Sequence, residues 1–241
     1  MATVLLVRHG RTSANAGGLL AGWSSGVELD DTGRSQAEAL AARLRDLSLV
    51  ALVSSPLTRC LQTSDVLLRG RPPVSRTECD DLGECRYGAW TGRPLADLAG
   101  EPLWQTVQRQ PSAATFPPSE EYRHESLSEM SARAVAAVRR HDAAIEAEHG
   151  PGALWVAVSH GDVIKAVLAD AAGTHLDLFQ RFTVGPASLS VVRYTAERPY
   201  VSRVNDTGAD LAGLVPPPAA DAATTDAPGT TGTAGVVGGG A

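Results

Sequence analysis

The sequence predicts an α/β chain with a mostly parallel sheet, and three apolar runs carry that prediction. Residues 3–7 stop at Arg8-His9-Gly10, residues 49–53 break at Ser54-Ser55-Pro56 ahead of a helix, and residues 154–158 stop at Ser159-His160-Gly161. Short runs rich in β-branched residues and leucine, bounded by turn residues, read as buried strands. In an open sheet of this class sites form outside the carboxyl ends of parallel strands, so both His-Gly pairs are expected at one rim. A chain of 241 residues is long enough to bury the core of one such domain.

The elements follow in order. After the first strand, Gly10 permits a tight departure or a close approach of the backbone to a ligand, and Thr12, Ser13 and Asn15 place short polar groups beyond it. Residues 19–27, with Gly22-Trp23, form a glycine-rich loop. Asp30 is a good N-cap for a helix in which Ala37, Leu40, Ala41 and Leu44 recur at spacings of three and four. That helix delivers the chain to the strand at 49–53. Pro56 suits the first turn of the next helix, which puts Arg59 at its start, directed back toward the strand end.

Residues 74–81 contain a further short strand, which leads into Leu82-Gly83-Glu84. Tyr87, Gly88, Trp90 and Gly92 then make a rigid loop that holds the carboxyl group partly out of water, and desolvation raises a carboxyl pKa. Residues 95–125 carry amphipathic pieces at Leu98 and at 104–107, followed by a proline-rich acidic turn. An insertion over a strand-end rim is where a substrate-selecting lid belongs; Trp104, Phe116 and Tyr122 are its candidate wall residues, with core packing the other reading of each.

Ser126 and Glu129 form a capping box that opens a long helix with Met130, Ala134, Ala137, Val138 and Ile145 on one stripe, and Gly150-Pro151-Gly152 closes it. Residues 162–172 read as another helix and 188–194 as the final strand. His124, His141, His149 and His175 lack a strand-end setting and read as surface or capping residues. From about residue 205 the composition turns to Pro, Ala, Thr and Gly, with too little apolar surface to offset the entropy of ordering. Residues 1–205 are therefore expected to form the domain, and 206–241 a disordered tail dispensable for chemistry.

A net charge of −6 and a pI near 5.5 argue against nucleic-acid or anionic-membrane surfaces. Among 21 basic residues only Lys165 is a lysine, so anion binding falls to arginines, which grip phosphate oxygens bidentately. Cys60, Cys79 and Cys85 form no CxxC pair and no zinc spacing, which suits a reducing cytoplasm and predicts no metal. The opening apolar run is too short for a signal-peptide core, and no run is long enough to span a membrane.

Arg8-His9-Gly10 with Asn15, the segment Ser54-Ser55-Pro56-Leu57-Thr58-Arg59, Glu84 in LGECRYGAWTG, and Ser159-His160-Gly161 together resemble the ordered signatures of the histidine phosphatase superfamily, which includes the phosphoglycerate mutases. The resemblance runs from Thr3 to about Tyr194. It implies a three-layer αβα fold of the phosphoglycerate mutase type, with the lid insertion at 95–125. It also implies that His9 is the nucleophile, that Glu84 is the proton donor, and that Arg8, Asn15, Arg59 and His160 hold phosphate. Ala21, Gly22, Arg86, Tyr87 and Gly161 are then expected at the substrate.

The activity so implied is that of a metal-independent, cofactor-free phosphomonoesterase working through phosphohistidine. Its partner is a small phosphorylated metabolite, and oligomeric state is left open, a homodimer included. Mutases of the family place an arginine directly after the acid. Here Cys85 stands there, Arg86 follows, and Trp90 resembles the phosphatase branch, which favours hydrolysis over phosphomutation. A non-catalytic phospholigand-binding module, the third reading, predicts loss of His9 or Glu84, and both are present.

Overall fold

The computed structural model describes residues 2–208; of the expected tail, 206–241, residue 206 instead ends a strand, and the part from residue 209 on lies outside the described residues. A six-stranded sheet has the order β3-β2-β4-β1-β5-β6. Strands β1 (Thr3–Arg8), β2 (Leu49–Ser54), β3 (Ser75–Glu78) and β4 (Leu154–Ser159) are parallel, while β5 (Leu189–Tyr194) and β6 (Pro199–Asp206) add an antiparallel edge.

Alternation along the central strands divides the core into two layers. In β1, Val4 and Leu6 face one cluster and Leu5 and Val7 the other; in β4, Trp155 and Ala157 oppose Val156 and Val158. A bulge between Leu49 and Ala51 shifts the parity of β2, so that Leu49 and Leu52 share a face. That face is covered by α2 (Asp31–Leu44), through Leu40 and Leu44, and by α3 (Thr58–Leu68), through Cys60 and Leu67. The other is covered by α6 (Leu127–His149), with the predicted stripe, and by α7 (Gly161–Ala171). This is the expected three-layer arrangement. The remaining helices are short: α1 (Ser13–Ala16), α4 (Leu95–Leu98) and α5 (Pro102–Arg109).

Predicted caps are observed. Asp30 accepts from Gly33 N–H, Ser126 and Glu129 form a reciprocal capping box, and Gly150 ends α6 at φ 84°. Two expectations are corrected. Pro56 does not lie in the first turn of α3. The chain stays extended through Leu57 (φ −72°, ψ 136°), whose N–H donates to Ser55 Oγ at 3.3 Å, and the helix begins at Thr58. Nor is β5 the final strand, since β6 pairs with it along the sheet edge.

Within 95–125, Leu98, Val107, Ala114 and Phe116 belong to the main core, and Phe116 packs edge-on against Tyr87 and Trp90. Trp104 packs partly buried on the same cluster. Of the three candidate wall residues, Tyr122 lines a cavity of about 350 Å³ shared with Trp23, Arg86 and Arg123.

Candidate active site

Register brings the site together. β2, β4 and β1 are parallel neighbours, with Ser54 opposite Val158 and Arg8 opposite Ser159, so all three strands end at one level. Just beyond them, His9 N–H donates to the Ser159 carbonyl (3.0 Å) and Ser55 N–H to the Val158 carbonyl (2.9 Å). Arg8, His9, Arg59, Glu84 and His160 converge there, all between 0 and 4% exposed.

The His9 ring is fixed by the loop that carries it. Nδ1 lies 2.7 Å from the Gly10 carbonyl, which only accepts, so Nδ1 holds the proton and Nε2 presents its lone pair. Arg59 Nε donates to that Nε2 at 3.3 Å. Burial, with the charges of Arg59 and Arg8, holds the His9 pKa well below the usual histidine value and keeps the imidazole neutral. Gly10 is required by contact: a Cβ there would sit 2.4 Å from the Gly33 carbonyl oxygen, and one on Gly33 would meet the Arg11 carbonyl at 2.0 Å. The two glycines seat the loop directly on the first turn of α2.

Arg8 donates through Nη1 to the Val184 carbonyl at 2.7 Å, whereas its buried Nε and Nη2 have no partner among the described residues. Burial lowers its pKa to about 10, which leaves it a cation at neutrality. Two buried N–H groups lacking acceptors fit the oxygens of an anion. Arg59 is held by the Gly22 carbonyl (2.8 Å) and lies 3.3 Å from His160 Nδ1. Since a guanidinium only donates, His160 accepts at Nδ1 and offers its Nε2 proton to Ser55 Oγ, 2.7 Å away. Its pKa too is pushed well below the usual value, chiefly by burial and then by Arg59.

Glu84 faces these cations, with Oε2 3.8 Å from His160 Nδ1. Burial, and then the nearby Asp162 charge, push its pKa up to about 7 against the opposing pull of Arg59 and Arg8. Its backbone is clamped, the carbonyl accepting from Trp23 Nε1 (2.6 Å) and Arg133 Nη2 (2.9 Å). Gly83 stays bare because a Cβ would lie 2.3 Å from the Trp23 ring.

The other expected residues divide. Asn15 closes the capping box of α1, where Oδ1 accepts from Thr12 N–H and Oγ–H, so any contact with an anion falls to its amide nitrogen. The Ala21 and Gly22 carbonyls are already taken, by Ser24 N–H and by Arg59. Arg86 stacks over Trp23 at 5.2 Å and reaches Glu125 at 3.4 Å, on the wall of the 350 Å³ cavity. Gly161 opens α7 directly after His160. Tyr87, expected at the substrate, is instead completely buried; its hydroxyl donates to Asp162 at 2.9 Å, beneath the site.

Three residues with evident roles were not singled out by sequence: Ser55, which holds His160; Arg133, which clamps the acid loop; and Asp162. The available signals were an arginine beside the apolar stripe of α6 and an acid inside the apolar run that follows His160-Gly161. A larger groove of about 470 Å³ lies at the C-terminal ends of α2 and α3, away from His9. Among the described residues, no three His, Cys, Asp or Glu side chains are grouped to hold a metal ion, and no helix is long and apolar enough to cross a membrane.

Comparison with known proteins gives the arrangement its place. The family model described as histidine phosphatase superfamily (branch 1) matches residues 4–207. The uncharacterized phosphatase PhoE of Bacillus subtilis is 28% identical over 199 residues, covering 82% of this chain and 91% of that protein. The 2,3-bisphosphoglycerate-dependent phosphoglycerate mutase 1 of Gloeobacter violaceus is 30% identical over 114 residues, 44% of this chain, which thereby spans about half (47%) of that relative's length. A solved mycobacterial glucosyl-3-phosphoglycerate phosphatase superposes with a TM-score of 0.73 at 26% identity, covering 85% of this chain and 98% of its own. With nearly all of its described residues inside the family match and the strand-end constellation in place, this chain belongs to the histidine phosphatase superfamily, a family of phosphatases and phosphomutases.

Proposed function

We propose that this protein is a metal-independent hydrolase of a small phosphorylated metabolite that works through a phosphohistidine intermediate. The observation that carries the reading is the pairing of a neutral His9, its Nε2 lone pair exposed by the Gly10 carbonyl, with the two unpartnered donors of Arg8 beside it. A phosphomonoester dianion would bring the acceptors that Arg8 lacks. Arg59, turned from His9 Nε2 onto a phosphate oxygen, would free the nucleophile's lone pair.

In the first step His9 Nε2 forms a bond to phosphorus, the bond from phosphorus to the leaving oxygen breaks, and that oxygen takes the Glu84 proton. In the second, Glu84 as carboxylate takes a proton from water, the water oxygen bonds to phosphorus, and the P–N bond returns its electron pair to Nε2. Arg8 and Arg59 stabilise the charge on the non-bridging oxygens, each such donor being worth roughly 10²–10³ in rate, and His160 joins them only as the imidazolium, with Nδ1 protonated. Hydrolysis is favoured over phosphomutation by the completely buried Cys85 in the position after the acid and by the engagement of Arg86 with Glu125 and Trp23.

The test is phosphate release from a panel of phosphomonoesters in excess chelator, with 3-phosphoglycerate interconversion run with and without a bisphosphate primer. Primer-independent, chelator-resistant release supports the hydrolase; interconversion that requires primer, with little release, would establish a mutase instead. The pH profile provides a second check. Glu84 is protonated below about 7 and loses its proton above, while His9 stays neutral down through the ordinary histidine range. For an alkyl phosphate, kcat/KM is therefore expected to fall as pH rises through about 7, while its acid limb follows the substrate's own second ionisation, near about 6, and not His9. Glu84→Gln should flatten that fall and cost about 10²–10⁴ in rate.

A further inference from the structure

Beneath Glu84 lies a buried polar unit that none of the chemistry above uses. Tyr87, three residues after the acid, donates its hydroxyl to Asp162 Oδ2 at 2.9 Å. Lys165, one turn on along α7, places Nζ 3.5 Å from Asp162 Oδ1 and donates to Gln180 Oε1 at 3.0 Å. Tyr87 and Asp162 are 0% exposed and Lys165 is 2% exposed. Asp162 follows His160 by two residues, and His160 Nδ1 is itself 3.8 Å from Glu84 Oε2. The bond from Tyr87 to Asp162 thus ties the loop bearing the acid to the helix turn bearing His160. An ordinary helix-start aspartate faces water; this one is sealed under the site.

Building on the hydrolase reading above, we propose that Asp162 is a positioning residue for Glu84: anchored by Tyr87 and Lys165, its buried carboxylate keeps the proton on Glu84 until the leaving oxygen takes it. The surroundings of Glu84 pull on its proton from several sides. Arg8 from β1, Arg59 from α3 and Arg133 from α6 all favour the ionised carboxylate, as does the Cys85 N–H bonded to Oε1. Burial keeps His160, the Cys60 and Cys85 thiols and the Tyr87 phenol neutral around it. Glu125, which precedes the N-cap of α6, is engaged by Arg133 and Arg86. Against three guanidiniums, burial and a neighbouring negative charge together hold the proton on Glu84. Among charged neighbours Asp162 acts most strongly on Glu84, and in the opposing sense.

The test reads Glu84 directly. In protein labelled with ¹³C at glutamate carboxyls, the Glu84 resonance, assigned by its loss in Glu84→Gln, is titrated in the wild type, in Asp162→Asn, and in Asp162→Asn/Lys165→Met. The double variant removes a buried ion pair as a unit and keeps the core foldable if the single one fails. In each folded variant the midpoint should fall by about one pH unit or more. The high-pH limb of kcat/KM should move with it for glycerol 2-phosphate, whose alkoxide needs the proton, while p-nitrophenyl phosphate, whose phenolate leaves unaided, shows little change. An unmoved midpoint in the folded double variant overturns the proposal. A wild type that releases phosphate from neither compound would sink the hydrolase reading instead, and the titration would still decide what Asp162 does to Glu84.

Discussion

His9→Ala is expected to lower phosphate release from every substrate of the protein by about 10⁴-fold or more, because it removes Nε2, the atom proposed to accept the phosphoryl group. The loss should fall on kcat, since Arg8 and Arg59 remain to bind the dianion. Two readouts identify its cause. Wild-type protein quenched during turnover with a ³²P-labelled ester should carry acid-labile, base-stable label, and the variant none. Substrate should still protect the variant against thermal unfolding. Residual activity within about tenfold of wild type would mean that Nε2 is not the nucleophile and that water attacks directly.

The second large effect falls on stability. Arg133 spends its whole guanidinium on the acid loop: Nε and Nη2 donate to Glu125 at 2.9 and 2.6 Å, and Nη1 and Nη2 donate to the carbonyls of Asp81, Gly83 and Glu84 at 2.8 to 2.9 Å. Arg133→Met keeps the apolar stem but strands these carbonyls and leaves Glu125, 7% exposed, with Arg86 as its remaining cation. Breaking a buried pair from one side costs about 3–5 kcal/mol, far more than a surface ion pair. Urea unfolding should register that loss. Activity at temperatures where the variant stays folded should also drop, by about 10²-fold, because Glu84 is no longer held to sub-ångström tolerance. A loss below about 1 kcal/mol would show that the loop is held by Trp23 and the core without Arg133.

How much of this was legible in the sequence follows the range of the interactions. The strand ends could be read because a buried parallel strand is written locally, as an uninterrupted apolar run, and Arg8, His9 and His160 stand where such runs stop. The caps of α2 and α6 could be read because each lies within four residues. β6 could not: it begins at a proline, is half exposed, and finds its partner only in β5. Local preference puts Pro56 in the first turn of α3, whereas Ser55, committed to His160 across 105 residues, accepts from the N–H of an extended Leu57 and the helix starts after it. Arg133 and Asp162 escaped for the same reason. Each looks like an ordinary helix-surface charge until the acid loop, 49 and 75 residues away along the chain, is folded against it.

The unsatisfied donors of Arg8 have a further consequence. Left without any acceptor, a buried N–H of this kind would cost the folded state about 1–3 kcal/mol. An anion that supplies acceptors to both nitrogens would therefore stabilise the fold by mass action, which makes the ligand, in thermodynamic terms, a missing piece of the core.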